Sequence, residues 1–302
     1  MFSGAIAAIV TPFKAGGVDE AGLRSLVEFQ IANGTNGIVP CGTTGESPTL
    51  SYKEHEHVIE VVIEQSAGRV PVIAGTGSNS TQEAISLTAH AKKAGADAAL
   101  LITPYYNKPT QEGIYRHFEA VAKAVDIPLI VYNIPGRTAV NIEPATMQRL
   151  SKLSNIVGVK ESAGSIKQIT DIISLCGSDF TVLSGEDFLT FPLLCVGGHG
   201  VISVVSNVAP RQMADLCTLF LEGKFEESRK LYYKLLPLLH ILFIETNPAP
   251  VKAALAMMGK IASEEVRLPL VTMSEANKER LRQVLEAQGL LCEPSGQKRS
   301  LR

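Results

Sequence analysis

The sequence lacks any apolar run of the ~18 residues that a bilayer-spanning helix needs. Charge of either sign is scarce as well: 28 lysines and arginines against 30 aspartates and glutamates leave a net charge of −2. The basic excess of a nucleic-acid surface is therefore missing. Five cysteines (Cys41, Cys176, Cys195, Cys217 and Cys292) are odd in number and show no CxxC spacing, which reads as reduced thiols in a cytoplasmic protein. Met1-Phe2-Ser3-Gly4 carries no basic segment ahead of its short apolar run, so no secretory leader is expected. None of the six histidines falls at a predicted strand exit. His55-Glu56-His57 lies in a helical stretch, where positions two apart point away from each other, so no metal is expected. No GxGxxG turn follows the first strand, and Gly197-Gly198 precede the last strand instead of following it. A phosphate cup is thus absent, and with it the expectation of any cofactor.

What is present is a cadence. Short, often β-branched apolar runs at 5–10, 37–40, 72–74, 98–102, 129–132, 156–159, 181–183 and 200–204 alternate with amphipathic helical stretches at 19–32, 51–64, 81–93, 110–124, 144–153, 165–175 and 186–195. Ser51 with Glu54 three positions on reads as a capping box. Eight units across 4–203 average roughly 25 residues each, which predicts a closed (β/α)8 barrel, with a doubly wound sheet as the alternative. After the eighth strand the alternation stops, and 210–222, 225–243, 250–258 and 274–288 all read as helices. The expected organisation is a barrel over 1–223, a helical extension over 224–292 and a polar, basic tail over 293–302 that is frayed or disordered.

Barrel enzymes place their chemistry on the loops that follow the strands. The predicted exits carry Gly42-Thr43-Thr44-Gly45-Glu46, Tyr105-Tyr106, Tyr132-Asn133-Ile134-Pro135-Gly136-Arg137-Thr138, Lys160-Glu161-Ser162 and Gly185-Glu186-Asp187. Lys160 is the sharpest of these. Strand alternation puts Ile156, Gly158 and Lys160 on one face, and Gly158 then leaves room beside the lysine stem. Burial inside an apolar barrel disfavours the ammonium and so favours a nucleophilic amine. The plainer reading is a lysine that snorkels out and pairs with Glu161 or Glu186. Tyr132 offers a phenol at the barrel mouth, Thr43-Thr44 a turn with free N–H groups for a carboxylate, and Arg137 a bidentate carboxylate partner.

In this order, the motifs around Thr43, Tyr132 and Lys160 resemble the pyruvate-dependent class I aldolase family over nearly the whole chain. The resemblance implies a TIM barrel, assembled as a homotetramer of two tight dimers. It also implies a Schiff base between Lys160 and pyruvate and a proton relay of Tyr132, Thr43 and Tyr106, the last reaching in from a neighbouring subunit. Thr44 would hold the pyruvate carboxylate, and Gly185 and Ile202 would line that pocket. Arg137 separates this chain from the sugar-acid lyases of the same superfamily and implies L-aspartate 4-semialdehyde as the second substrate. The pathway implied is diaminopimelate and lysine biosynthesis. A different pyruvate aldolase acting on a sugar acid or keto acid is the alternative, and a non-catalytic keto-acid binder is the reading from another class.

The same resemblance implies feedback by L-lysine through Ser47, His55, Asn79, Glu83 and Tyr105. Glu83 would take the α-ammonium at a largely buried interface. Tyr52 departs from the histidine common in lysine-sensitive members, and Pro48 replaces a small residue, so altered sensitivity is expected.

Overall fold

The computed structural model describes residues 2–291, and the tail expected at 293–302 lies outside the described residues. Eight parallel strands form the barrel: β1 (Gly4–Ala8), β2 (Gly37–Val39), β3 (Ile73–Gly75), β4 (Ala98–Ile102), β5 (Leu129–Asn133), β6 (Ile156–Glu161), β7 (Thr181–Ser184) and β8 (Gly200–Ser203). Hydrogen bonding runs β2-β1-β8-β7-β6-β5-β4-β3, and a parallel bridge between Ile38 and Val72 joins the two ends. The ring closes, so the doubly wound alternative is set aside.

Unbroken apolar runs suit these strands because both faces are covered. In β5, Ile130 and Tyr132 pack inside the barrel with Ile6, Val39, Ile73, Leu100, Leu183 and Ile202. Leu129 and Val131 pack outward against Ile114, Phe118 and Val121 of the helix Gln111–Ala124. The predicted cap is present on the helix Tyr52–Ser66: Ser51 accepts from the Glu54 N–H, and the Glu54 carboxylate accepts from the Ser51 N–H at 2.9 Å.

Three local features depart from the sequence reading. The helix expected from 186 starts only at Thr190, because Asp187 turns inward and spends its carboxylate on Ser203 Oγ and the Val204 N–H. A helical turn, Pro135–Thr138, occupies what reads as a loop, and the Thr138 hydroxyl secures it on the Ile134 carbonyl. A two-stranded hairpin, Phe13–Lys14 with Gly17–Val18, follows β1.

Beyond the helix Pro210–Leu221, the helices Phe225–Ile241, Ala249–Met257 and Glu275–Ala287 complete the described chain. Leu235, Val251, Leu255 and Leu281 share one apolar cluster with Leu23, Val58 and Val62 of the barrel's own helices. The core therefore crosses residue 223 without a break. At the seam, the buried Ser228 hydroxyl donates to the Leu216 carbonyl at 2.8 Å.

Candidate active site

Lys160 lies one residue before the end of β6 on the inward face, level with Tyr132 of β5 and Leu183 of β7. It is 6% exposed, and its Nζ stands 4.1 Å from the centroid of the Tyr132 ring. The snorkelling alternative fails on Glu161, which points outward. Its carboxylate accepts from Asn133 Nδ2, Gln168 Nε2 and the Ala163 N–H.

Two details of the expected geometry need correction. The register slips between Leu129 and Ile130, so strict alternation along β6 breaks. Ile156 packs in the outer cluster and Val157 against the interior. Gly158 does not make the room for Lys160, because a Cβ there would strike the Thr181 carbonyl oxygen at 2.5 Å. Gly185 does. A Cβ at Gly185 would sit 2.8 Å from Lys160 Cε and 1.9 Å from Ser162 Oγ. Ile202 lies in the interior cluster with Tyr132.

Across the mouth, the turn after β2 is tied by Gly45 N–H to the Gly42 carbonyl and by Glu46 N–H to the Thr43 carbonyl. Among the described residues, no acceptor engages the N–H of Thr43 or Thr44, which leaves both free for an anion. The hydroxyl of buried Thr44 accepts from Asn247 Nδ2 at 3.0 Å. The Asn247 carbonyl in turn accepts from Arg137 Nη2 at 3.4 Å, so one residue links the paired-threonine turn to the exposed arginine.

A cavity of about 430 Å³ opens beside this group, lined by Thr43, Tyr132, Arg137 and Thr138 at one end. Ser47, Tyr52, His55, Glu83 and Tyr105 line the other end, so one depression joins the two residue sets that the sequence separates. Lys160, Thr44, Gly185, Ile202 and Asn79 stand outside that lining. Asn79 donates to the Tyr105 carbonyl at 3.2 Å from behind it. Tyr106 is not among the residues lining this cavity; it sits in left-handed backbone (φ 71°) and is 89% exposed.

At the far end, Glu83 is exposed in the single chain. Hydrogen bonds from Ser78 and then Tyr52 hold its carboxyl below the usual range. His55 is buried, neither of its ring nitrogens has a hydrogen-bond partner among the described residues, and burial lowers its pKa to about 4.

Sequence reasoning missed Lys252 of the helix Ala249–Met257 and Asn247 and Arg267 of the connections on either side of it, all of which reach the 42–46 turn. A signal existed for one of them: Lys252 is the lone charge in the apolar helix Ala249–Met257.

Fold and rim together place the chain among the (β/α)8-barrel enzymes. Residues 1–288 match the dihydrodipicolinate synthetase family, and the chain belongs to that family. The 4-hydroxy-tetrahydrodipicolinate synthase of Syntrophobacter fumaroxidans is 73% identical over 291 residues, spanning 96% of this chain and 100% of the relative. Among solved structures, the dihydrodipicolinate synthase of Acinetobacter baumannii complexed with pyruvate superposes with a TM-score of 0.94 at 47% identity, covering 96% of this chain and 100% of that one. The enzyme of Cyanidioschyzon merolae with lysine bound gives 0.93 at 41% identity, covering 96% and 99%.

Proposed function

We propose that this chain is a lyase that joins pyruvate to L-aspartate 4-semialdehyde through a Schiff base on Lys160, giving 4-hydroxy-tetrahydrodipicolinate and one water. The observation that carries the reading is the buried Lys160 amine against the Tyr132 ring at the barrel mouth. The activity named for the 73% identical relative supports it, as does the pyruvate complex of the 47% identical one.

The amine adds to the ketone carbon of pyruvate, and loss of the carbonyl oxygen as water leaves a protonated imine. That cation is the electron sink that lets a methyl proton leave, giving an enamine. Tyr132 and Thr43 move the protons, since a phenol passes a proton while resting neutral. The free N–H groups of Thr43 and Thr44 hold the pyruvate carboxylate. Gly185 and Ile202 wall the pyruvate end.

The enamine carbon then bonds to the aldehyde carbon of the semialdehyde, whose carboxylate Arg137 receives. Attack of the semialdehyde's own amine on the imine carbon closes the ring and releases Lys160. Tyr106, exposed in the single chain, completes the relay of a neighbouring subunit in a tight dimer, and two such dimers form a homotetramer. Lysine binds the far end of the cavity through Ser47, His55, Asn79, Glu83 and Tyr105 and restrains turnover. The pathway is diaminopimelate and lysine biosynthesis, carried out in the cytoplasm.

Borohydride added with pyruvate tests the covalent step. Peptide mapping is expected to find a reduced pyruvyl group on Lys160, absent from Lys160→Ala, and labelling at Lys108 or Lys167 instead overturns the assignment. Pyruvate consumption with the semialdehyde, N-acetylmannosamine or glyceraldehyde as partner tests the second substrate.

A further inference from the structure

Among the described residues, one ion pair has no exposed surface on either side chain: Lys252 Nζ lies 2.5 Å from Glu46 Oε1. Its partners are 206 residues apart, one on the helix Ala249–Met257 and one at the end of the turn that carries Thr43 and Thr44. The other carboxylate oxygen of Glu46 accepts from the Arg267 N–H at 3.0 Å. Lys252 Nζ also stands 4.1 Å from the centroid of the Phe13 ring, so both charges are enclosed.

A buried ion pair is a weak device for stability, since apolar residues of the same volume commonly serve as well or better. Its best-attested use is to select one arrangement among several. Here the arrangement is specific. Glu46 sits in left-handed backbone with φ 55°, a conformation costly for a residue with a Cβ. Its N–H donates to the Thr43 carbonyl at 3.1 Å, and its own carbonyl accepts from the Thr49 N–H and hydroxyl, both at 3.0 Å. Whatever fixes the Glu46 carboxylate therefore fixes the backbone that presents Thr43 and Thr44. The same C-terminal segment also delivers Asn247 to the Thr44 hydroxyl.

We propose that Lys252 and Glu46 are positioning residues for the reaction: their buried pair holds the Thr43-Thr44 turn against Lys160, which makes the helix Ala249–Met257 part of the frame of the active site. The inference rests on the reading of Thr43 and Thr44 as reaction groups. Displacing a positioned group by about 1 Å can cost 100-fold in rate.

The test compares wild type, Lys252→Met, Glu46→Asp and the double variant Glu46→Gln/Lys252→Met. The double variant leaves no unpaired buried charge. It is expected to fold, to keep borohydride trapping of pyruvate at Lys160, and to lose about 10- to 100-fold in kcat while KM for pyruvate rises several-fold. A role in stability alone would lower Tm and leave kcat and KM of the folded enzyme unchanged, and that result overturns the proposal. If the double variant does not fold, Glu46→Asp, which keeps the charge but retracts it, is read the same way. Failure of both to fold assigns the pair to folding and also overturns the proposal. Wild type that does not trap pyruvate removes the functional reading and this inference with it, whereas a fully active, trapping double variant removes the inference alone.

Discussion

Tyr132 and Lys160 face each other across adjacent parallel strands, with the lysine nitrogen 4.1 Å from the centroid of the phenol ring. The ring gives the amine an apolar wall and a site for electrostatic attraction once charged, while the hydroxyl is the part available for proton transfer. Tyr132→Phe separates the two roles. It should retain trapping of pyruvate at Lys160 and lose about 10²- to 10⁴-fold in kcat, measured as steady-state condensation beside single-turnover trapping. An unimpaired kcat would remove the phenol from the relay.

The exposure of Tyr106 bears on assembly. Tyr106→Phe should lower kcat far more than Tm, since the side chain is 89% exposed in one chain and supports no core of its own. Co-assembly of Tyr106→Phe chains with Lys160→Ala chains should restore part of the activity, because a mixed dimer can contain one complete site. Capture through an affinity tag carried by only one of the two chains verifies the mixed species. Verified mixed dimers without restored turnover would place Tyr106 within its own chain.

Tyr52 lines the far end of the cavity with Glu83 and, after Ser78, helps to lower the pKa of its carboxyl, so it competes for the carboxylate that would take the α-ammonium of lysine. Tyr52→Phe frees that carboxylate and should shift the half-inhibiting lysine concentration several-fold downward, while Glu83→Ala should abolish inhibition. Coupling energies of roughly 1–3 kcal/mol are typical between such sites. Wild type left fully active by millimolar lysine would show that the regulatory reading is wrong.

Buried His117 gives a pH-dependent stability. One ring nitrogen bonds the Thr81 hydroxyl, the other has no partner among the described residues, and burial lowers its pKa from 6.5 to about 4. The fold therefore prefers the neutral ring. Between those values the unfolded chain binds a proton that the folded chain refuses, so this stabilisation is complete above pH 6.5 and declines as pH falls towards 4. The loss should reach about 3 kcal/mol across that window. Urea unfolding at pH 7.5 and 5.0 should show a smaller decline in His117→Gln than in wild type, and equal declines would rule the histidine out.

The strand and helix cadence was legible because each element repeats a local rule: two-sided apolar strands, helix faces at 3.6-residue spacing and caps such as Ser51 with Glu54. The rim residues were legible for a related reason, since a barrel sends its strand exits to one end whatever the loops contain. Departures occurred where a side chain was claimed from across the fold. Asp187, bonded to Ser203 and Val204, delays a helix that its own sequence favours.

The sequence by itself therefore determined the eight-unit barrel, the identity of the groups at its mouth and the family resemblance. Only the tertiary structure decided which glycine stands beside Lys160, where β6 slips register, and that Lys252 meets Glu46 from 206 residues away. The physical reason is that periodicity and capping act within a few residues. Strand register and the pairing of a buried charge are instead settled by whatever surface the rest of the chain brings into contact.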